Sequence, residues 1–212
     1  IYQIPPPTIS ENRRGQTLDQ FDKIIFSDKN LQKVIIEDSD RELYIGSIEP
    51  VSNYIERSFR SNPIPDIYGW NNSTTVEFDT IMMDCEHGIV LLGNPGSGKT
   101  SEIKHRAISL WHNRGENEII PFYRSLKNFN SNSTITSILP SHYQQLPFLI
   151  VILDGLDEVY NITDFSNKLR SFIEEYKKEA TKNTLKFVIS CRTSIYSKIV
   201  KDLEGFTTTY IN

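Results

Sequence analysis

The 212-residue sequence has few cysteines and no excess of positive charge, and both shortages narrow the possible functions. Cys85 and Cys191 are far apart, and Cys191 ends an apolar run, so two buried thiols are expected rather than a disulfide or a metal site. Such thiols fit a reducing cytoplasm. The formal net charge of -4, with no basic cluster, makes binding to nucleic acid or to an anionic membrane unexpected.

Long apolar segments and an initiating methionine are also missing. A transmembrane helix needs about 18 consecutive apolar residues, and no such run is present, so we expect no membrane insertion. The first ten residues have neither the charged start nor the apolar stretch of a signal peptide. We therefore expect a cytoplasmic protein of which these residues are one part.

A loop rich in proline, glycine and asparagine, residues 61–74, divides the sequence into two regions. We expect residues 1–73 to be a connector or the remnant of an effector region, and residues 74–212 to be the main domain. Within the first region, β-rich runs at 34–36 and 43–45 predict a small hairpin. Apolar spacing from Pro50 to Phe59 predicts a short helix after it.

After the loop, apolar runs of strand length alternate with helical stripes, which predicts an α/β fold with a parallel sheet covered on both faces. Helical stripes start near Phe78, Ile103 and Phe165. Right-handed crossovers favour the strand order 5-1-4-3-2, counted along the chain. The predicted fold is thus three-layered, with a small N-terminal α+β segment added. The predicted strands are 88–92, 118–123, 148–153, 185–190 and 206–211.

A glycine-rich segment follows the first predicted strand and has the spacing G-x-x-x-x-G-K-[ST]. Its backbone N–H groups and the positive end of the following helix can form a cradle for phosphate. We expect Lys99 to reach the β- and γ-phosphates and Thr100 to bind Mg²⁺. A turn that needs glycine for packing alone does not account for that lysine and threonine. The predicted nucleotide-binding residues are Gly93, Asn94, Pro95, Gly96, Ser97, Gly98, Lys99, Thr100 and Ser101.

Charged residues follow two of the other strands, and the carboxyl ends of parallel strands meet at one edge of a sheet. Asp154 ends a buried strand, so we expect it to hold Mg²⁺ together with Thr100. Asp157 or Glu158 can orient the water that attacks the γ-phosphate, although either can instead cap the following segment. Arg192 can contact the γ-phosphate, the alternative being a surface ion pair.

Taken together, these motifs resemble those of the NACHT family of signal-transducing (STAND) P-loop NTPases. The segment GNPGSGKT resembles its Walker A motif, LIVILDGLDEV its Walker B motif, and FVISCRTS its sensor 1 strand. The sequence departs from the family where Cys191 occupies a position at which serine is more common. The resemblance covers about residues 74–212.

The resemblance implies a P-loop NTPase of the ASCE type that binds ATP or ADP with Mg²⁺ and acts as a switch. Such proteins oligomerise through the NTPase core when ATP replaces ADP, and bacterial members commonly act in defence against viruses. The helical and winged-helix segments of the family would lie beyond residue 212, so we expect weak hydrolysis from this region alone. The catalytic set implied is Lys99, Asp157, Glu158 and Arg192.

Two other functions stay open at this stage. A phosphotransferase would use the same phosphate cradle but needs an arginine-rich lid and an acceptor pocket, and the sequence shows neither clearly. A non-hydrolysing nucleotide-binding module would keep its nucleotide without turnover. The acidic group of Asp154, Asp157 and Glu158 argues against that module.

Overall fold

The computed structural model describes residues 36–60, 77–178, 183–199, 203 and 205–211, and a mostly parallel sheet forms the core of this part of the chain. Within this part of the chain the strands are β1 Phe59–Arg60, β2 Gly88–Gly93, β3 Ile119–Ser125, β4 Phe148–Asp154, β5 Thr184–Arg192 and β6 Phe206–Ile211. Their order is β1-β6-β2-β5-β4-β3. Strand β1 pairs antiparallel with β6, and the other pairs are parallel.

The five parallel strands confirm both the predicted strands and their predicted order, 5-1-4-3-2 counted from β2. Strands β2, β4 and β5 lie inside the sheet, and their central residues are buried. Strand β3 is the edge strand next to β4, which explains why it tolerates Pro121, a residue that has no N–H to donate to a neighbour. The short antiparallel strand β1 at the other edge was not predicted.

Helices flank the sheet and give the predicted three-layer α/β fold. The predicted stripes form the helices Phe78–Asp84, Lys99–His112 and Ile162–Lys178, whose buried faces include Phe78, Ile103, Trp111, Phe165 and Leu169. Short 3-10 turns occur at Asp38–Asp40, Thr136–Ile138, Tyr143–Gln145 and Leu156–Glu158. The helices are α1 Arg41–Ile45, α2 Phe78–Asp84, α3 Lys99–His112, α4 Arg114–Asn117, α5 Ile162–Lys178 and α6 Thr193–Ile199.

The hairpin predicted in the N-terminal region is wrong for its second strand, because residues 43–45 belong to helix α1. Leu43 is exposed, whereas Tyr44 and Ile45 are both buried. Two adjacent buried residues do not fit the alternation of a strand but do fit one face of a helix. Residues 34 and 35, in the first predicted strand, lie outside the described residues.

The helix predicted from Pro50 is also wrong, because residues 50–58 form no helix. Asn53 has a positive φ of 56°, which ends any helix at that point. The apolar residues instead make separate contacts. Tyr54 stacks on His105 of α3, with ring centroids 3.6 Å apart, while Phe59 pairs with Ile211 of β6.

Contacts such as these place described residues of the N-terminal region against the sheet and α3. The predicted domain boundary between residues 73 and 74 lies outside the described residues. Among the helices that are described, none combines the length and apolar character needed to cross a membrane.

Candidate functional site

A cavity of about 370 Å³ lies at the edge of the sheet where β2, β4 and β5 end. Most of the predicted site residues meet there, together with Gly155 and Ser190, which were not predicted as site residues. Three predicted residues do not line the cavity: Gly93, which ends β2, and Asn94 and Ser97 in the loop that follows it. The predicted residues that line it are Pro95, Gly96, Gly98, Lys99, Thr100, Ser101, Asp154, Asp157, Glu158 and Arg192.

The glycine-rich loop leads directly into α3 through Gly98, whose left-handed backbone (φ 88°) strongly favours glycine. The carbonyl of Gly98 accepts the first hydrogen bond of the helix, from the N–H of Glu102 at 2.8 Å. The helix therefore starts at Lys99, and its unpaired N–H groups and positive dipole end face the cavity. This arrangement favours an anion at the loop.

Lys99 is held inside this loop. Its Nζ donates to the carbonyl oxygens of Gly93 at 2.9 Å and Asn94 at 3.0 Å. Burial lowers the pKa of Lys99, and the charge of Arg192 acts in the same direction, while the carboxylate of Asp157 opposes them. The loop thus concentrates a partly desolvated positive charge where a phosphate would bind.

Asp154 lies at the end of β4 next to the loop, and hydroxyl groups surround its carboxylate. Oδ1 accepts from Ser190 at 2.6 Å and from Thr100 at 3.2 Å, and Oδ2 accepts from Tyr123 at 3.1 Å. A hydroxyl and a carboxylate side by side are hard oxygen ligands and fit Mg²⁺, which usually takes only one or two protein ligands beside phosphate. The described residues contain no cluster of three or more His, Cys, Asp or Glu suited to a metal.

The two remaining acids differ in their contacts. Asp157 is bound by Arg192, which donates from Nε to Oδ2 at 2.7 Å and from its backbone N–H to Oδ1 at 3.2 Å. The side chain of Asp157 is only 9% exposed, whereas Glu158 is exposed at the cavity. Asp157 therefore fixes Arg192, and Glu158 presents its carboxylate to the cavity.

Three residues with contacts at or near the site were missed by sequence reasoning. Ser190 is a polar residue inside an apolar strand, a signal that it needs a partner. Tyr123 near the end of β3 carried a weaker signal, since its hydroxyl only becomes relevant once β3 is placed beside β4. Arg57 gave none. Its guanidinium lies so close to Gly98 that a Cβ at that glycine would be 3.1 Å from Nη2.

Comparison with protein-family models gives one match, and comparison with curated proteins gives none. The family model nSTAND3 (Novel STAND NTPase 3) matches residues 79–212. This region contains the glycine-rich loop, Asp154 and Arg192 in the geometry described above. Because the match covers more than half of the chain, the chain belongs to the nSTAND3 family of STAND NTPases.

Proposed function

We propose that this chain binds Mg-ATP and hydrolyses it slowly, as the switch module of a larger signalling or defence protein. The observation that carries the proposal is that Lys99, Thr100, Asp154, Glu158 and Arg192 all line one cavity. Membership of the STAND NTPases supports a nucleotide-binding switch in general.

Each group at the cavity has a distinct part in this proposal. The loop N–H groups and Lys99 would bind the phosphates. Thr100 and Asp154 would hold Mg²⁺, which, when bound, neutralises charge on the β- and γ-phosphates. Lys99 leaves its bonds to the carbonyls of Gly93 and Asn94 to reach the γ-phosphate, since its four-carbon chain is flexible.

The contacts of the two acids favour Glu158 over Asp157 as the group that orients the attacking water. The oxygens of Asp157 are bound to Arg192, so it is less free to accept a proton from water. Glu158 has an exposed carboxylate beside Gly155 and can accept that proton. Asp157 then acts by keeping Arg192 near the cavity, where its guanidinium can exchange the carboxylate for a γ-phosphate.

The finer features of the proposal come from the resemblance to NACHT proteins. We propose a NACHT-like switch of the antiviral type that prefers adenine nucleotides, works in the cytoplasm and self-associates through the NTPase core. Residues 1–73 would act as a connector or as the remnant of an effector region. The contacts of Tyr54 and Phe59 with α3 and β6 support the connector.

The test measures binding of ATP, ADP and GTP to the chain with and without Mg²⁺, with phosphate release followed in the same samples. Lys99→Ala is expected to weaken ATP binding by about 10- to 100-fold, because a charge-assisted contact to phosphate is worth about 1.5–3 kcal/mol. Glu158→Gln is expected to bind ATP as tightly as the unmodified chain and to release phosphate at least tenfold more slowly.

Lys178→Ala and Glu175→Gln, both at exposed positions of α5, serve as matched controls and should change neither quantity. A folded wild-type chain that binds no nucleotide would overturn the proposal. Tight binding without phosphate release would favour the non-hydrolysing module, and transfer of phosphate to a small acceptor would favour the phosphotransferase.

A further inference from the structure

Asp154 is held from neighbouring strands on both sides. Strand β4, which ends at Asp154, lies between β3 and β5, and each of these strands contributes a hydroxyl to the carboxylate. Tyr123 of β3 donates to Oδ2 at 3.1 Å, and Ser190 of β5 donates to Oδ1 at 2.6 Å. Both carboxylate oxygens are therefore engaged, which fixes the orientation of the group beside Thr100.

The direction of these hydrogen bonds follows from their surroundings. The backbone N–H of Gly155 donates to Oγ of Ser190 at 2.8 Å, so the serine proton is free to point at Asp154. The Asp154 carboxylate can only accept hydrogen bonds, so the phenol O–H of Tyr123 is the donor to Oδ2. Tyr123 and Ser190 are both donors to a carboxylate acceptor.

We propose that Tyr123 is a positioning residue for the divalent cation, because its hydroxyl holds the Asp154 carboxylate where Thr100 and the nucleotide phosphates meet. The inference rests on the proposed function of this cavity. Mg²⁺ requires nearly ideal octahedral geometry, so a carboxylate free to rotate binds it less well. Groups that orient a metal ligand from behind typically change metal affinity by 10- to 100-fold.

Tyr123 gives a cleaner test than Ser190. Ser190 also accepts from the backbone of Gly155, so its removal leaves a buried N–H without that partner. Tyr123→Phe removes one hydroxyl and keeps the ring. The matched control is Tyr176→Phe, which removes a hydroxyl that donates to the carbonyl of Asn183. Asn183 lies just before the start of β5, at the end of that strand farthest from the cavity.

The experiment titrates Mg²⁺ against ATP binding at a fixed, subsaturating ATP concentration, and measures ATP binding in EDTA in parallel. For Tyr123→Phe, the Mg²⁺ concentration at half-maximal effect is expected to rise about tenfold. ATP binding in EDTA is expected to stay unchanged, as is every quantity in Tyr176→Phe. A purely structural role would instead weaken binding in both conditions.

An unchanged Mg²⁺ requirement in folded Tyr123→Phe overturns the inference and leaves the proposed function intact. A wild-type chain that binds no nucleotide overturns the proposed function and the inference with it. Should Tyr123→Phe fail to fold, Ser190→Ala and Ser190→Thr provide the second comparison. Ser190→Ala is expected to raise the Mg²⁺ requirement and Ser190→Thr, which keeps the hydroxyl, to restore it; equal requirements in the two overturn the inference.

Discussion

Gly155 separates the residue proposed to hold the metal from the acids proposed to orient water and arginine. Its φ is +87°, a left-handed conformation that costs other residues about 1–2 kcal/mol. A Cβ at this position would lie 3.2 Å from Cδ and 3.3 Å from Cγ of Glu158. The glycine thus permits the turn after β4 and also leaves room for the Glu158 side chain.

Gly155→Ala is therefore expected to lower phosphate release more than it lowers ATP affinity, because the added methyl displaces Glu158 from its place at the cavity. We expect a loss of about 1–2 kcal/mol in the free energy of unfolding from the positive φ alone. Phosphate release per folded molecule and ATP affinity are measured together with thermal unfolding.

Gly46→Ala separates backbone strain from displacement of Glu158. Gly46 also has a positive φ, +69°, but nothing lies within 4 Å of a Cβ there. Because its ψ of -170° lies in a region almost restricted to glycine, we expect a loss of stability at least as large as in Gly155→Ala, with normal phosphate release from the folded protein. If Gly46→Ala slows release as much as Gly155→Ala does, strain alone accounts for the effect and the proposed displacement is wrong.

At the scale of elements, α1 shows how a five-residue helix is stabilised by packing rather than by its own sequence. Isolated helices of this length do not persist in water. The ring of Tyr44 is 1% exposed and lies 5.7 Å from that of Trp111 and 5.9 Å from that of Phe122. Its hydroxyl also bonds to His142. Tyr44 therefore links α1 to α3, β3 and the segment after β3.

Tyr44→Ala is expected to reduce the free energy of unfolding by about 3–5 kcal/mol, the usual cost of removing a buried aromatic ring. Leu43→Ala on the same helix is the control, since Leu43 is 58% exposed and should change stability by about 0.5 kcal/mol or less. Denaturant unfolding of both variants measures this difference. Equal, small effects would mean that α1 contributes little to the stability of the sheet domain.

At the scale of the whole molecule, burial raises the pKa of several phenol and thiol groups. Burial raises the pKa of Cys191 to about 12, with Asp157 adding to the effect. It also raises the pKa of Tyr44 to about 12, with Asp40 adding to it, and that of Tyr54 to about 12, with Glu102 adding to it. In the unfolded chain these groups return to values near 9 for the thiol and 10 for the phenols.

The protein is therefore expected to lose stability as pH rises from about 9 towards 12. In this range the unfolded chain releases protons that the folded chain keeps, so the free energy of unfolding falls with pH; below about 9 these groups are protonated in both states and contribute no slope. Thermal unfolding at pH 8, 9 and 10 at constant ionic strength tests this. A Tm that does not fall above pH 9 would contradict it.

The sequence by itself determined the parallel sheet, its strand order and most of the residues that line the cavity. The strands and the loop follow from local patterns, because an apolar run predicts a strand and the G-x-x-x-x-G-K-[ST] spacing predicts the loop. The strand order follows from the handedness of the connections between parallel strands. Because Asp154 and Arg192 end buried parallel strands, their meeting at one edge also followed from the pattern of the chain.

Only the tertiary structure decided which residues that are distant in sequence pack together and bond to one another. It turned residues 43–45 into a helix, because packing on Trp111 and Phe122 outweighs local β propensity. In the folded protein Asp157 pairs with Arg192, whereas Glu158 stays exposed. The hydroxyl of Tyr123 donates a hydrogen bond to Asp154. Side-chain hydrogen bonds depend on distances of about 3 Å between separate strands, and periodicity along one segment carries no information about them.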